Sequence, residues 1–420
     1  MSETSDPGPE AKGGSAQAAD GGPTEADFSA GKLRWSDIPG EPFRLLFPLG
    51  LLAGVLAVLL WPLFFYDLWF QYPGPSHGRI MIMGFFGAFV IGFLGTAAPR
   101  MLEVRPLRWV ELGVLLGLFL TGTTAYFAGS LATGDVAFLL LFAGFAGMLA
   151  LRFPRRSDLP PPSFALVLWG YAHLPAGLLF LLAGGTFGTG VPWTALGMGF
   201  VAEGAFLCMI TGVGAFFFPR LLGYPPRQRF AGGATPDSEW FRRAATPFAI
   251  GALVFASFWV EHMIHGATGI ALRYATVSAY LLRMVPLWRK AEHPGFLTLS
   301  LKIGLAAVPA GGFAMALFPD YRMAGIHAVL LTGFGMVTLV VATRVIFGHS
   351  GRRNQIEGRV GFFGVILALT LAAAALRFLA DIYPGSYGAF LGKSAFFWIA
   401  GILVWARYTV PLASRPDPEE

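Results

Sequence analysis

Apolar stretches of about twenty residues alternate with short polar breaks along almost the whole chain. A run of that length crosses the roughly 30 Å hydrocarbon layer of a bilayer as a helix. Twelve such spans can be laid out: 43–66, 80–98, 107–127, 134–151, 163–186, 193–217, 247–266, 268–286, 296–318, 324–346, 360–380 and 388–410. The seventh and eighth are separated only by the Gly266–Gly269 region, which predicts a very tight hairpin. Ahead of them, residues 1–31 are Ser, Gly, Ala, Pro and acid, too poor in apolar side chains to bury a core, and are expected to be a disordered cytoplasmic tail. No apolar core of the length a cleavable signal needs occurs in the first forty residues. The predicted fold class is therefore all-α, a polytopic membrane helical bundle of about twelve transmembrane helices. It forms a single membrane domain over 32–420, compatible with two six-helix halves, 43–217 and 247–410, joined by a basic loop at 218–246. No strong internal repeat is evident.

The polar breaks are unevenly charged. Connections after the even-numbered spans carry Arg100, Arg105 and Arg108, then Arg152, Arg155 and Arg156, then Arg220, Arg227, Arg229, Arg242 and Arg243, then Arg289 and Lys290, and finally Arg352, Arg353 and Arg359. The odd-numbered connections carry Arg79 and Arg322 alone. Basic loops stay cytoplasmic, so both termini are expected inside. Composition agrees: 55% of residues are hydrophobic, 13% are charged and mean hydropathy is +0.62, against about 25% charged in soluble chains. The net charge of +6 then reads as basic loops at an anionic lipid surface, with no nucleic-acid partner. A single cysteine, Cys208, excludes a disulfide framework and a thiolate cluster.

The topology sorts the seven histidines. His77 precedes the second span, His262 and His265 end the seventh, and His327 begins the tenth, all near the outer face. His173 falls about ten residues into the fifth span, roughly 15 Å deep. His293 and His349 belong to the cytoplasmic side. Imidazole is a ligand for haem iron and copper, which makes His77, His262, His265 and His327 the candidate metal ligands. His262 and His265 are three apart and share a helix face. Glu261 and Met263 adjoin them, and thioether sulfur suits copper(I). The order Glu-His-Met-Ile-His is not the zinc-protease arrangement, whose Glu lies between its histidines. Haem propionates want cations, and Arg79, Arg322, Arg377 and Lys393 lie near the same face; Arg377 equally suits a pairing with Asp381 one turn on. Glu203, near the middle of the sixth span, is a costly intramembrane carboxylate. With His173 it is a candidate for a proton or substrate path, and Arg344 and Arg273 are its alternative structural partners. A twelve-helix secondary transporter without metals is one alternative function. A respiratory oxidase or nitric oxide reductase-type subunit is another, although those need several deep histidines and His173 is the only deep one here.

Two stretches carry a family resemblance. One is Ser76-His77-Gly78-Arg79 through Gly84-Phe85-Phe86, continuing to Thr96-Ala97-Ala98-Pro99. The other is Ile326-His327-Ala328, with Gly333 to Met336, Thr343-Arg344 and Gly348-His349-Ser350-Gly351-Arg352. Together they resemble the NnrS family of bacterial haem- and copper-containing membrane proteins. The resemblance implies a multi-pass protein of the bacterial inner membrane that binds b-type haem and copper. It also implies that nitric oxide or a related small molecule is bound or turned over; neither an electron donor nor a reaction is implied. His77 matches the first histidine of the family's His-x-His-Glu-Met block, where Arg79 and Ile80 replace the second histidine and the glutamate. The Gly-His-Ser-Gly-Arg loop also suits plain helix capping, with His349 and Arg352 at the negative end of a helix dipole.

Overall fold

The computed structural model describes residues 33–186, 191–352 and 360–416. The tail expected at 1–31 lies outside them, as do Arg353 and Arg359. Among the described residues twelve long helices form and no strand does. They are α1 (Phe43–Phe65), α2 (Gly74–Met101), α3 (Trp109–Phe127), α4 (Leu131–Ala150), α5 (Ala165–Thr186), α6 (Trp193–Leu221), α7 (Ser238–Met263), α8 (Gly266–Met284), α9 (Phe296–Leu317), α10 (Pro319–Gly348), α11 (Phe362–Ile382) and α12 (Tyr387–Ala413). Eleven are long and apolar enough to cross a membrane; α8 is less apolar because it carries Arg273 and Arg283. This is an all-α, multi-pass membrane bundle.

The packing partners sort by fours. Within each four, the first helix packs on the second and the third on the fourth: α1 on α2 and α3 on α4, α5 on α6 and α7 on α8, α9 on α10 and α11 on α12. The fourth helix of one unit then packs on the first of the next, α4 on α5 and α8 on α9, and α12 returns to α1. Three four-helix units thus close into a ring. Of the eleven apolar spans, the three most buried are the second helices, α2, α6 and α10, which meet at the centre.

Each of these central helices is interrupted by a π-helical stretch: Ile80–Phe86 in α2, Phe200–Gly204 in α6 and Ala328–Gly335 in α10. Hydrogen bonding from residue i to i+5 widens a turn, and such segments gather at functional positions. Gly204 shows why a small residue stands there. A Cβ on it would lie 2.3 Å from Cδ2 of His173 on the neighbouring α5.

At the basic end, Glu41 closes the ring. It is buried and pairs with Arg44, with Arg100 at 2.9 Å, and with His349 just past α10. Arg44 also donates to the carbonyl of Ala413 at 2.7 Å, so one cluster joins the start of α1 to the ends of α2, α10 and α12.

Candidate functional site

The histidines on the central helices come first in the chain logic. His77 lies three residues before the π stretch of α2, and His327 immediately before that of α10. Nδ1 of His77 faces the carbonyl oxygen of Ala57 on α1 at 3.1 Å. Nδ1 of His327 faces the carbonyl of Met323, one turn back on its own helix, at 2.7 Å. A carbonyl can only accept, so each Nδ1 carries the proton and each neutral ring keeps its lone pair on Nε2. Backbone groups thus fix both tautomers in the form a metal-binding imidazole uses. The two rings are electrostatic neighbours of each other and of Arg377 on α11. Arg377 is buried, pairs with Asp381 at 2.6 Å and lies 5.7 Å from the Tyr387 ring centre. Trp61 meets His77 edge to face at 6.0 Å.

The other sequence candidates divide among separate structures. Arg79 is buried and donates to Asp135 on α4 at 2.9 and 3.3 Å, while Tyr126 donates to the same carboxylate at 2.8 Å. Its charge is therefore balanced inside the first unit. Lys393 lies 5.9 Å from the centre of the Phe390 ring on α12. Arg322 pairs with Glu261 at 2.7 Å.

Glu261 belongs to a largely buried ion network. Arg273, fully buried, contacts Glu203 at 2.9 Å and Glu261 at 2.6 Å. Tyr274 adds a hydrogen bond to Glu203 at 2.8 Å, and the Arg273 guanidinium lies 4.3 Å from the Phe258 ring centre. Two carboxylates and two guanidiniums leave no net charge, which is what makes such burial tolerable. Of the two partners weighed for Glu203, Arg273 is the one it pairs with. The network ties α6, α7 and α8 to α10 and so crosses from the second unit to the third.

His262 is an electrostatic neighbour of this network. His265 caps α8: the Thr268 N–H donates to its Nδ1 at 3.3 Å, and the Thr268 hydroxyl lies 2.9 Å from the same atom. With Nδ1 accepting, the neutral ring carries its proton on Nε2, the reverse of His77 and His327. His77 and His327 are thus electrostatic neighbours, while His262 and His265 have other neighbours. Among the described residues no group of three or more His, Cys, Asp or Glu side chains is arranged to hold a metal ion. His173 is fully buried among Phe200, Phe255 and Phe258; its Nδ1–H donates to Trp169 at 2.7 Å and its Nε2 has no partner.

Sequence reasoning passed over Asp135 and Glu41. Asp135 was visible in principle, because an acid inside an apolar run is the same signal that singled out Glu203. Glu41 sits before the first span among ordinary loop residues and gives no such signal.

The profile of the NnrS protein family matches residues 38–416, nearly the whole chain. The chain belongs to the NnrS family. Both histidine-bearing helix starts lie within the matched region, as do all three π stretches. No curated protein matches the chain as a relative. Membership fixes the family and leaves the chemistry to the residues, where the departure at Arg79 has a clear physical sense. In place of the second histidine of the NnrS block, this chain has an arginine neutralised by Asp135.

Proposed function

We propose that this protein is a haem-binding protein of the nitric oxide response, with the haem held by His77 and His327. The observation that carries the reading is the matched pair of Nδ1–H bonds to Ala57 and Met323, which leaves Nε2 of both rings free to donate. Arg377 beside both rings suits a propionate. When bound, the haem supplies an iron that exchanges electrons or binds a diatomic molecule such as nitric oxide. The protein's own residues orient the two imidazoles through backbone carbonyls, wall the site with Trp61 and balance its charge with Arg377. The nitric oxide role follows from the family resemblance of the His77 and His327 stretches, and the basic end is assigned to the bacterial cytoplasm by the loop arginines. Nδ1 of His265 is engaged in the α8 cap, so a copper at the His262/His265 pair would have to bind that ring through Nε2.

The test is the visible spectrum of protein purified from haem-supplied cells. A Soret band with low-spin features is expected, and His77→Ala and His327→Ala should each abolish or convert it at unchanged membrane abundance. Full, unaltered haem absorbance in both variants overturns the assignment.

A further inference from the structure

On the basic side of the π stretches the three central helices part around a cavity of about 80 Å³. Phe86 ends the first π stretch; Phe206 and Val337 each lie two residues beyond the second and third. All three face the cavity, together with Met209 and Val341. Thr338 is the one polar side chain in its lining. Its walls include packed rings, with Phe86 and Phe206 at 5.0 Å, and Phe206 packs in turn on Phe334 at 6.0 Å.

Each central helix thus lines the space at or just beyond the end of its π stretch, and Phe47 of α1 and Val167 of α5 complete the lining. A chance packing defect would be bordered by whichever helices met poorly. This one opens where each unit's second helix leaves its widened turn. Water needs two to four polar partners to settle in a cavity, and apolar cavities stay dry while accepting apolar guests. About 10–15 Å³ of such space holds one water-sized group, so a molecule of a few heavy atoms fits. Its size and apolar lining suit a diatomic gas. Phe86 is nine residues beyond His77 and Val337 ten beyond His327, so the near end of the cavity lies about 13–15 Å along the axis from the two histidines.

We infer that this cavity is a binding site for a small, uncharged, apolar molecule of diatomic-gas size, waiting one π stretch away from the imidazole pair. Its existence does not depend on haem; only its service to the imidazole pair rests on the function proposed above.

Xenon is the probe. Crystals of the full-length protein pressurised with xenon should show an anomalous peak between Phe86, Phe206 and Val337. Val341→Trp should reduce its occupancy at least fivefold, and Ala342→Leu provides a milder filling if the tryptophan variant does not fold. The same crystals of His77→Ala protein should keep the peak, which separates this site from the haem assignment. No xenon at this position, ordered water in it, or a continuous lipid tail running through it overturns the inference.

Discussion

Glu41 accepts a hydrogen bond from His349, 308 positions later in the chain, across the seam where the first four-helix unit meets the third. Burial by itself would raise the Glu41 carboxyl, but the hydrogen bond and charge of His349, with Arg44 beside it, hold it below the usual carboxylate range. A carboxyl lowered on folding stabilises the fold above its unfolded-state pKa, and the contribution is lost as pH falls through the folded value. Thermal stability in detergent should therefore be flat through neutrality and decline below about pH 4.5, where free carboxylates start to protonate. Glu41→Gln should be less stable by about 3–5 kcal/mol at pH 7, since it leaves Arg44 buried without its partner, and should flatten the acid limb. An unchanged acid limb would contradict this account of the seam.

Arg79 and Arg377 were alike as sequence candidates and should now behave differently. Arg79→Gln strands Asp135 in the first unit, so the expected loss is in folding, about 3–5 kcal/mol, with the haem spectrum of the surviving protein intact. Arg377→Gln should retain the fold better and weaken haem retention or shift its reduction potential. Paired melting curves and potentiometric titrations check this; the reverse pattern would exchange their roles.

His262 and His265 should leave haem content unchanged when mutated. His265→Ala removes the acceptor that caps α8 and should cost about 0.5–2 kcal/mol, while His265→Asn, which caps as well, should recover most of it. A haem titration of His262→Ala, and of both His265 variants, is the measurement. Loss of haem in either alanine variant at normal stability would return that histidine to the ligand set.

Most of the fold was legible because apolar length alone marks a span, and the helix ends at Phe65, Phe127 and Thr186 fall within a residue of the sequence boundaries. The exceptions have local causes. α7 begins at Ser238, nine residues before its apolar run, because Asp237 accepts from the Trp240 N–H and Glu239 pairs with Arg243 on a polar first turn. The π stretches were illegible, since a change of helical period leaves no mark where every face is apolar. The grouping by fours was hidden for a related reason: helix pairing in lipid follows shape and small residues rather than hydrophobic contrast. For the candidate site, residue type singled out four histidines, His77 and His327 among them. Depth along the membrane could not separate them from His262 and His265, because depth says nothing of position around the ring.

The ring closure has a consequence for chain order. Residues 43 and 413 end beside each other at Glu41 and Arg44, and each unit is joined to the next by a connection at that same basic end. Linear sequence is then incidental to the arrangement. A gene that joins the start of α1 to the end of α12 with a short linker and reopens the chain between α4 and α5, or between α8 and α9, encodes the same three neighbours in a rotated order. Circular permutants of this kind are tolerated where termini lie close together. Here they offer a way to place a new start or finish beside any chosen unit without touching the centre.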